Sequence, residues 1–238
     1  MEVEVFADDE STARAAAKRI AAESIASVAA RGRFVMAVSG GHTPWIMLRM
    51  LAKEELPWDQ VHIVQVDERI APIGDGERNL THLRECLLGK APIHPEQIHA
   101  MAVESPDLEA AATQYASTLS ELAGSPPTLD LVHLGLGPDG HTASLVPEDP
   151  VLKVTDRDVA LTSVYQGRRR MTLTYPIINR ARRILWLVTG SEKARMLARL
   201  RRSDGSIPAG RVQQDRALLF ADRAAGADSP VAENKKKL

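Results

Sequence analysis

The sequence is poor in cysteine and in aromatic rings. Cys86 is the sole cysteine of 238 residues, which excludes an intrachain disulfide and a cysteine-based zinc site. Aromatic residues make up only 4% of the chain. The core therefore has to be built from Ala, Val, Leu and Ile, which favours helices packed on a buried sheet over an aromatic-rich β-sandwich. No apolar run approaches the roughly 20 residues that a membrane helix needs. The opening MEVEVFADDE is acidic and lacks the basic segment and apolar stretch of a secretory signal. These absences point to a cytoplasmic protein without a membrane partner. The closing Lys236-Lys237-Leu238 is not the Ser-Lys-Leu peroxisomal address, and residues 229–238 read as a flexible tail. An excess of one charge is missing too: 30 Lys plus Arg against 31 Asp plus Glu leave a net charge of −1. That argues against a general nucleic-acid binder. Hydrophobic residues at 44% and charged residues at 26% are those of a globular domain.

What is present is an alternation of strands and helices. Val3–Phe6 reads as a strand, and the Ala-rich stretch from Asp8 to Ala30 as a long helix with an acidic start and Gly32 behind it. The continuous apolar run from Phe34 to Val38 marks a strand buried on both faces. Thr43 as N-cap and Pro44 at the first helical position predict a helix to Ala52. Val61–Val66 is the next strand, and Asn79–Leu88 a short helix capped by Asn79 and stopped at Gly89. A helix from Pro106 to Ala123 is opened by Ser105 and closed by Gly124, and a strand follows at Leu129–Leu134. Val159–Val164 and Met171–Tyr175 alternate as half-buried strands do. Ile184–Val188 is apolar again, and Ser191–Leu200 follows as a helix. The breaker clusters between these elements are short, with no linker and no repeat. The pattern predicts a single α/β domain over residues 1–228: three α/β/α layers, a mostly parallel Rossmann-like sheet, and helices on both faces. Ligands of such sheets bind beyond the carboxyl ends of the strands. The loops after Val38, Val66, Leu134 and Val188 should therefore share one rim.

Those loops hold the chemistry. Ser39-Gly40-Gly41-His42-Thr43-Pro44 lies between a buried strand and a helix start, where two glycines and free N–H groups suit a phosphate; GxxxxGK[ST] is absent. Its plain alternative is a strand-to-helix turn. Asp67-Glu68-Arg69 places charges at a strand's carboxyl end, or forms a surface ion pair. Gly135-Leu136-Gly137-Pro138-Asp139-Gly140-His141-Thr142 formally matches GxGxxG after a strand. A dinucleotide reading fails because Pro138 lacks the N–H a pyrophosphate would want, Pro147 follows within a few residues, and the segment lies mid-chain. His141, two residues after Asp139, is instead a candidate general base. In Thr189-Gly190-Ser191-Glu192-Lys193, a lysine in a helix's first turn opposes the helix dipole unless it faces an anion. The seven histidines form no metal-ligand spacing.

The near-zero net charge hides an uneven distribution. Arg168 to Arg216 carries 12 Arg and one Lys against Glu192, Asp204 and Asp215, so 13 − 3 = +10, leaving −11 elsewhere. Interleaved aromatics for base stacking are missing, and solvated helix faces account for most of the stretch. Arg168-Arg169-Arg170 leads into a strand, and one of these reaches the rim.

Together these residues resemble the 6-phosphogluconolactonase family. Ser39 to Pro44 resembles its SGGxTP loop, Asp67-Glu68-Arg69 with Asn79 its DER…N segment, and Gly135 to Pro147 its GxGPDGHTASLFP motif. Arg170 to Thr174 is similar to its RxTLT strand and Thr189 to Lys193 to its final GxxK, in order over Val3 to Ala225. The family's Pro-rich SPKPP-like loop is replaced by Ser163-Val164-Tyr165-Gln166-Gly167-Arg168-Arg169. The resemblance implies hydrolysis of 6-phospho-D-glucono-1,5-lactone in the pentose phosphate pathway, without metal or organic cofactor, on a fold shared with glucosamine-6-phosphate deaminases. His141 is then the general base, oriented by Asp139 or Asp67. Ser39, Gly40, Gly41, Thr43, Arg170 and Lys193 hold the phosphate, and Arg69 serves either the phosphate or the oxyanion. The partner expected is a small sugar-phosphate lactone, with no nucleic acid, acting on a monomer or a weak homodimer. The alternatives are a deaminase or sugar-phosphate isomerase, and a non-enzymatic sugar-phosphate sensor. In the deaminases a glutamate lies five residues after the motif histidine; here that position is Val146. A sensor would need a DNA-binding segment ahead of an α/β pattern that begins almost at residue 1.

Overall fold

The structure, a computed structural model, describes residues 1–226; the tail expected at 229–238 lies outside the described residues. The strands in chain order are β1 (Glu2–Phe6), β2 (Phe34–Val38), β3 (Val61–Gln65), β4 (Asp67–Arg69), β5 (Ile98–His99), β6 (Leu131–Leu134), β7 (Val159–Leu161), β8 (Arg170–Leu173), β9 (Arg183–Val188) and β10 (Ala217–Asp222). The helices are α1 (Asp9–Arg31), α2 (His42–Leu51), α3 (Asn79–Leu87), α4 (Leu108–Ala123), α5 (Tyr175–Arg180) and α6 (Ala194–Arg201).

Seven strands form one parallel sheet in the order β1-β10-β9-β6-β2-β3-β5. Its apolar strands are buried on both faces, and their residues alternate between two cores. Phe34, Met36 and Val38 of β2 join Leu185 and Leu187 of β9 under α1, α2 and α3. Val35 and Ala37 join Ile184, Trp186 and Val188 on the other face, against α4, α5 and α6. A second sheet, β4-β8-β7, is antiparallel and packs on that latter core. The three-layer α/β/α reading holds, with this small sheet added. No helix among the described residues is long and apolar enough to cross a membrane.

Local chemistry explains most boundaries. Asp8 accepts the Ser11 N–H at 2.7 Å and Ser11 Oγ takes the Asp8 N–H at 3.1 Å, a capping box that starts α1. Several expected ends move. Helix α2 begins at His42 with Gly41 as N-cap, because Gly41 adopts φ 131°, a conformation open to glycine. Thr43 is thereby inside the helix and caps nothing. Helix α4 is capped by Asp107 rather than Ser105, through the Ala110 N–H at 2.9 Å. Helix α3 is capped not by Asn79 but by buried Glu68, which accepts the Asn79 and Leu80 N–H groups at 2.8 Å each. The strand expected to reach Val164 ends at Leu161, and the one expected to reach Tyr175 ends at Leu173. Tyr175 instead opens α5, with Pro176 in its first turn. Ser191–Lys193 forms a 3₁₀ turn ahead of α6.

Candidate active site

The loops at the carboxyl ends of β1, β2, β3, β6, β9 and β10 enclose one cavity of about 720 Å³. The rim expected from the apolar strands is thus a single cleft. Ser39, Gly40, Gly41, Thr43, Asp67, Arg69, His141, Arg170 and Lys193 all line it. Asp139 does not; it lies behind His141.

At one wall, the Nδ1 of His141 stands 2.5 Å from Asp139 Oδ1, and the His141 backbone N–H reaches the same oxygen at 3.1 Å. An ionised carboxylate accepts only, so the ring proton sits on Nδ1 and Nε2 carries the free lone pair. Burial alone would raise the Asp139 pKa, but the charge and hydrogen bonds of His141, together with the Tyr165 hydroxyl, leave it below the ordinary carboxylate value. The tight Gly137–His141 turn is closed by Gly137 N–H to His141 carbonyl at 2.8 Å. A Cβ on Gly137 would lie 2.1 Å from His141 Nδ1, so only glycine leaves room for the ring.

Asp67 is 5% exposed and does not bond His141. Its Oδ2 takes the Ser144 hydroxyl at 2.5 Å, and its Oδ1 and carbonyl take the Asn79 amide at 3.3 and 2.9 Å. Of the two carboxylates considered for orienting the imidazole, Asp139 is the one in contact. Glu68 turns inward and accepts from Gln65, Arg69 N–H, Asn79 and Leu80, each at 2.8 Å. It welds β4 to α3, so that Asp67 and Arg69 on either side of it reach the cavity wall.

The opposite character belongs to the cations. Arg69, Arg170 and Lys193 line the cavity, and none of them is in an ion pair among the described residues. The Nε atoms of Arg69 and Arg170 are buried without a hydrogen-bond partner. Burial first, then the neighbouring Arg69 charge, pull the Arg170 pKa down against the pull of Asp67. An arginine nonetheless stays charged in a protein. Of the three consecutive arginines only Arg170 faces the cleft: Arg168 pairs with Asp75 at 3.1 Å and with Glu77, and Arg169 donates to the Thr162 carbonyl at 3.2 Å.

The glycine loop is held from below. Ser39 donates its hydroxyl to the His133 carbonyl at 2.9 Å and its N–H to His133 Nδ1 at 3.3 Å. A Cβ on Gly40 would fall 2.0 Å from Asn79 Oδ1. The Thr43 hydroxyl meets Thr189 Oγ1 at 2.6 Å, joining the loops after β2 and β9. Two residues escaped sequence reasoning. Asp222, at the end of the unforeseen β10, receives the Gly190 N–H at 3.0 and 3.1 Å and so shapes the Lys193 turn. Its signal was the apolar run Ala217–Ala221 just ahead of it. Tyr165 donates to Asp139 Oδ2 at 3.0 Å, a contact across 26 residues with no local signal.

Comparison with known proteins decides the kinship. The profile of the family described as Glucosamine-6-phosphate isomerases/6-phosphogluconolactonase matches residues 7–220. The chain belongs to this family. The 6-phosphogluconolactonase of Mycobacterium bovis is 38% identical over 242 residues, covering 96% of this chain and 98% of that protein. The 6-phosphogluconolactonase of Streptomyces coelicolor is 34% identical, covering 95% of this chain and 94% of that one. The crystal structure of the Thermotoga maritima 6-phosphogluconolactonase superimposes with a TM-score of 0.82 at 25% identity, over 93% of this chain and 98% of that one.

Proposed function

We propose that the chain hydrolyses 6-phospho-D-glucono-1,5-lactone to 6-phosphogluconate, with His141 as general base. Kinship makes it a lactone hydrolase of the 6-phosphogluconolactonase kind, an enzyme of the pentose phosphate pathway. The observation that carries the mechanism is the pairing, in one cavity, of an Asp139-held imidazole with three cations that have no acid of their own. Water attacks the lactone carbonyl while His141 Nε2 removes its proton. Asp139 keeps the imidazole in the required tautomer and stabilises the imidazolium. The tetrahedral oxyanion draws on backbone N–H groups or Arg69. His141 then returns the proton to the departing ring oxygen. Arg170, Lys193 and the Ser39-Gly40-Gly41-His42-Thr43 loop hold the phosphate and so fix the carbonyl against His141. This chemistry has no redox step and asks for no cofactor. The same reading gives residues 1–228 as one catalytic domain, working in the cytoplasm as a monomer or a weak homodimer, without nucleic acid.

Val146 weighs against the deaminase or isomerase alternative. It is 4% exposed, apolar, and unable to move a proton where the deaminases carry a glutamate. One assay tests the proposal. The lactone is generated enzymatically and its opening is followed with and without the protein. Acceleration over the spontaneous rate is expected; ammonia release from glucosamine 6-phosphate without lactone hydrolysis would reverse the assignment, and binding without turnover would leave only a sensor.

A further inference from the structure

We propose that Tyr165 is a positioning residue that couples the His141–Asp139 pair to Arg170, so that base and anion holder are set by one side chain. The proposal rests on the lactone-hydrolase reading above.

Tyr165 is half-buried and touches every member of that group without lining the cavity itself. Its hydroxyl donates to Asp139 Oδ2 at 3.0 Å, while Asp139 Oδ1 takes the His141 Nδ1–H at 2.5 Å. The carboxylate is bonded at both oxygens, and rotating it away from the imidazole loses one bond or the other. The Tyr165 ring meets the His141 ring edge-on, with centroids 5.6 Å apart and planes at 68°. The Arg170 guanidinium carbon lies 5.0 Å from the Tyr165 centroid, over its face. Burial and the bond to Asp139 hold the phenol above its ordinary pKa, so it stays a donor.

The backbone keeps this tyrosine in place. Tyr165 and Arg168 close a two-residue hairpin in which Gln166 and Gly167 have φ 51° and 81°, the left-handed pair of a type I′ turn. Arg168 ties the tip to Asp75 and Glu77 of the facing loop. Arg170 Nη2 returns to Gln166 Oε1 at 3.2 Å. The charged groups facing Tyr165 are thus Asp139 and His141 from the loop after β6 and Arg170 from β8. Arg170 in turn faces Asp67 and Arg69 of β4 and Glu77.

Two variants separate the two contacts. Tyr165→Phe keeps the ring under Arg170 and removes only the hydroxyl. We expect kcat to fall about tenfold, within the range for losing a hydrogen bond to a charged group, with KM unchanged. The acid limb of kcat/KM should move to higher pH, because a carboxylate without the tyrosine donor holds the imidazolium more strongly. Tyr165→Leu also removes the ring and should raise KM as well. Wild-type kcat and an unmoved acid limb in Tyr165→Phe would overturn the proposal, as would a change confined to KM. A wild-type protein that fails to accelerate lactone opening refutes the function itself. An active wild type beside an indifferent Tyr165→Phe refutes only the role of Tyr165.

Discussion

Arg69 and Arg170 stand directly opposite one another in the antiparallel pairing of β4 with β8. Like charges opposite in a ladder destabilise a sheet, and these two each bury an Nε without a partner. An arrangement unfavourable to the folded chain becomes favourable once an anion sits between the guanidinium groups. Inorganic phosphate should therefore raise the melting temperature of the wild type, by binding the folded state alone. Arg170→Gln should abolish that rise and increase KM for the lactone by roughly ten- to a hundredfold. Arg69→Gln should keep or raise the phosphate-free melting temperature, since it relieves the repulsion. A clear drop in that temperature, or an undiminished phosphate response in Arg170→Gln, would contradict the anion site.

His141→Ala tests the base. Removing a general base costs about 10²–10⁴-fold in turnover. The loss should fall on kcat with KM little altered, because the phosphate holders remain. Turnover near that of the wild type would remove His141 from the mechanism.

Asp139→Asn addresses the pH dependence of the same pair. The folded-state pKa of Asp139 is depressed, so its contribution to stability is present above the unfolded value of about 3.9 and is lost as pH falls through the folded value. The wild type should lose stability in that acid window more steeply than Asp139→Asn, in urea titrations at a series of pH values. In catalysis the sign is opposite to that of Tyr165→Phe. Without the carboxylate the imidazolium is less stable, so the acid limb of kcat/KM should move to lower pH while kcat falls. An acid limb that stays in place would break the link between the two residues.

How much of this was legible in the sequence follows the range of the interactions. Phe34–Val38 and Ile184–Val188 announced themselves because a strand buried on both faces is apolar without interruption. The four loops expected on the rim followed from the strands ahead of them by topology alone, whereas those after β1 and the unforeseen β10 did not. The two-residue β5 is too short to carry a pattern, and Met171–Tyr175 alternates like a strand although Tyr175 already belongs to α5. The cap of α3 was misplaced because its acceptor, Glu68, lies 11 residues upstream of Asn79. Tyr165 and Asp222 were missed for the same physical reason. Their partners, Asp139 and Gly190, are 26 and 32 residues away, and only the fold brings them together.

His133 carries a stability prediction in the core. It is fully buried under the Ser39 loop, and desolvation pushes its pKa down to about 4. The unfolded chain takes up a proton near pH 6.5 that the folded chain refuses. The stability from this residue is thus complete above about pH 6.5 and is lost as pH falls toward 4, by an amount on the order of 3 kcal/mol. His133→Asn keeps an acceptor for the Ser39 N–H and removes the titration. Its unfolding free energy should fall less between pH 7 and 5 than that of the wild type. His62 and His99, bonded to each other at 3.1 Å and also depressed by burial, leave a residual slope. Equal slopes for variant and wild type would mean that His133 protonates in place.

Gly137→Ala separates the geometry of the base from its chemistry. No hydrogen-bonding group changes, yet the new Cβ would fall 2.1 Å from His141 Nδ1 and 2.3 Å from Cε1. The backbone of Gly137 is fixed by its N–H to the His141 carbonyl, so the ring has to give way. Displacing the imidazole pulls Nδ1 off Asp139 and moves Nε2 away from the attacking water. A misplacement of about 1 Å costs on the order of 10²-fold in rate. The variant should therefore approach His141→Ala in kcat while keeping KM and phosphate-induced stabilisation, because Arg170 and Lys193 are untouched. Full activity in Gly137→Ala would show that the ring works from a position other than the one bonded to Asp139.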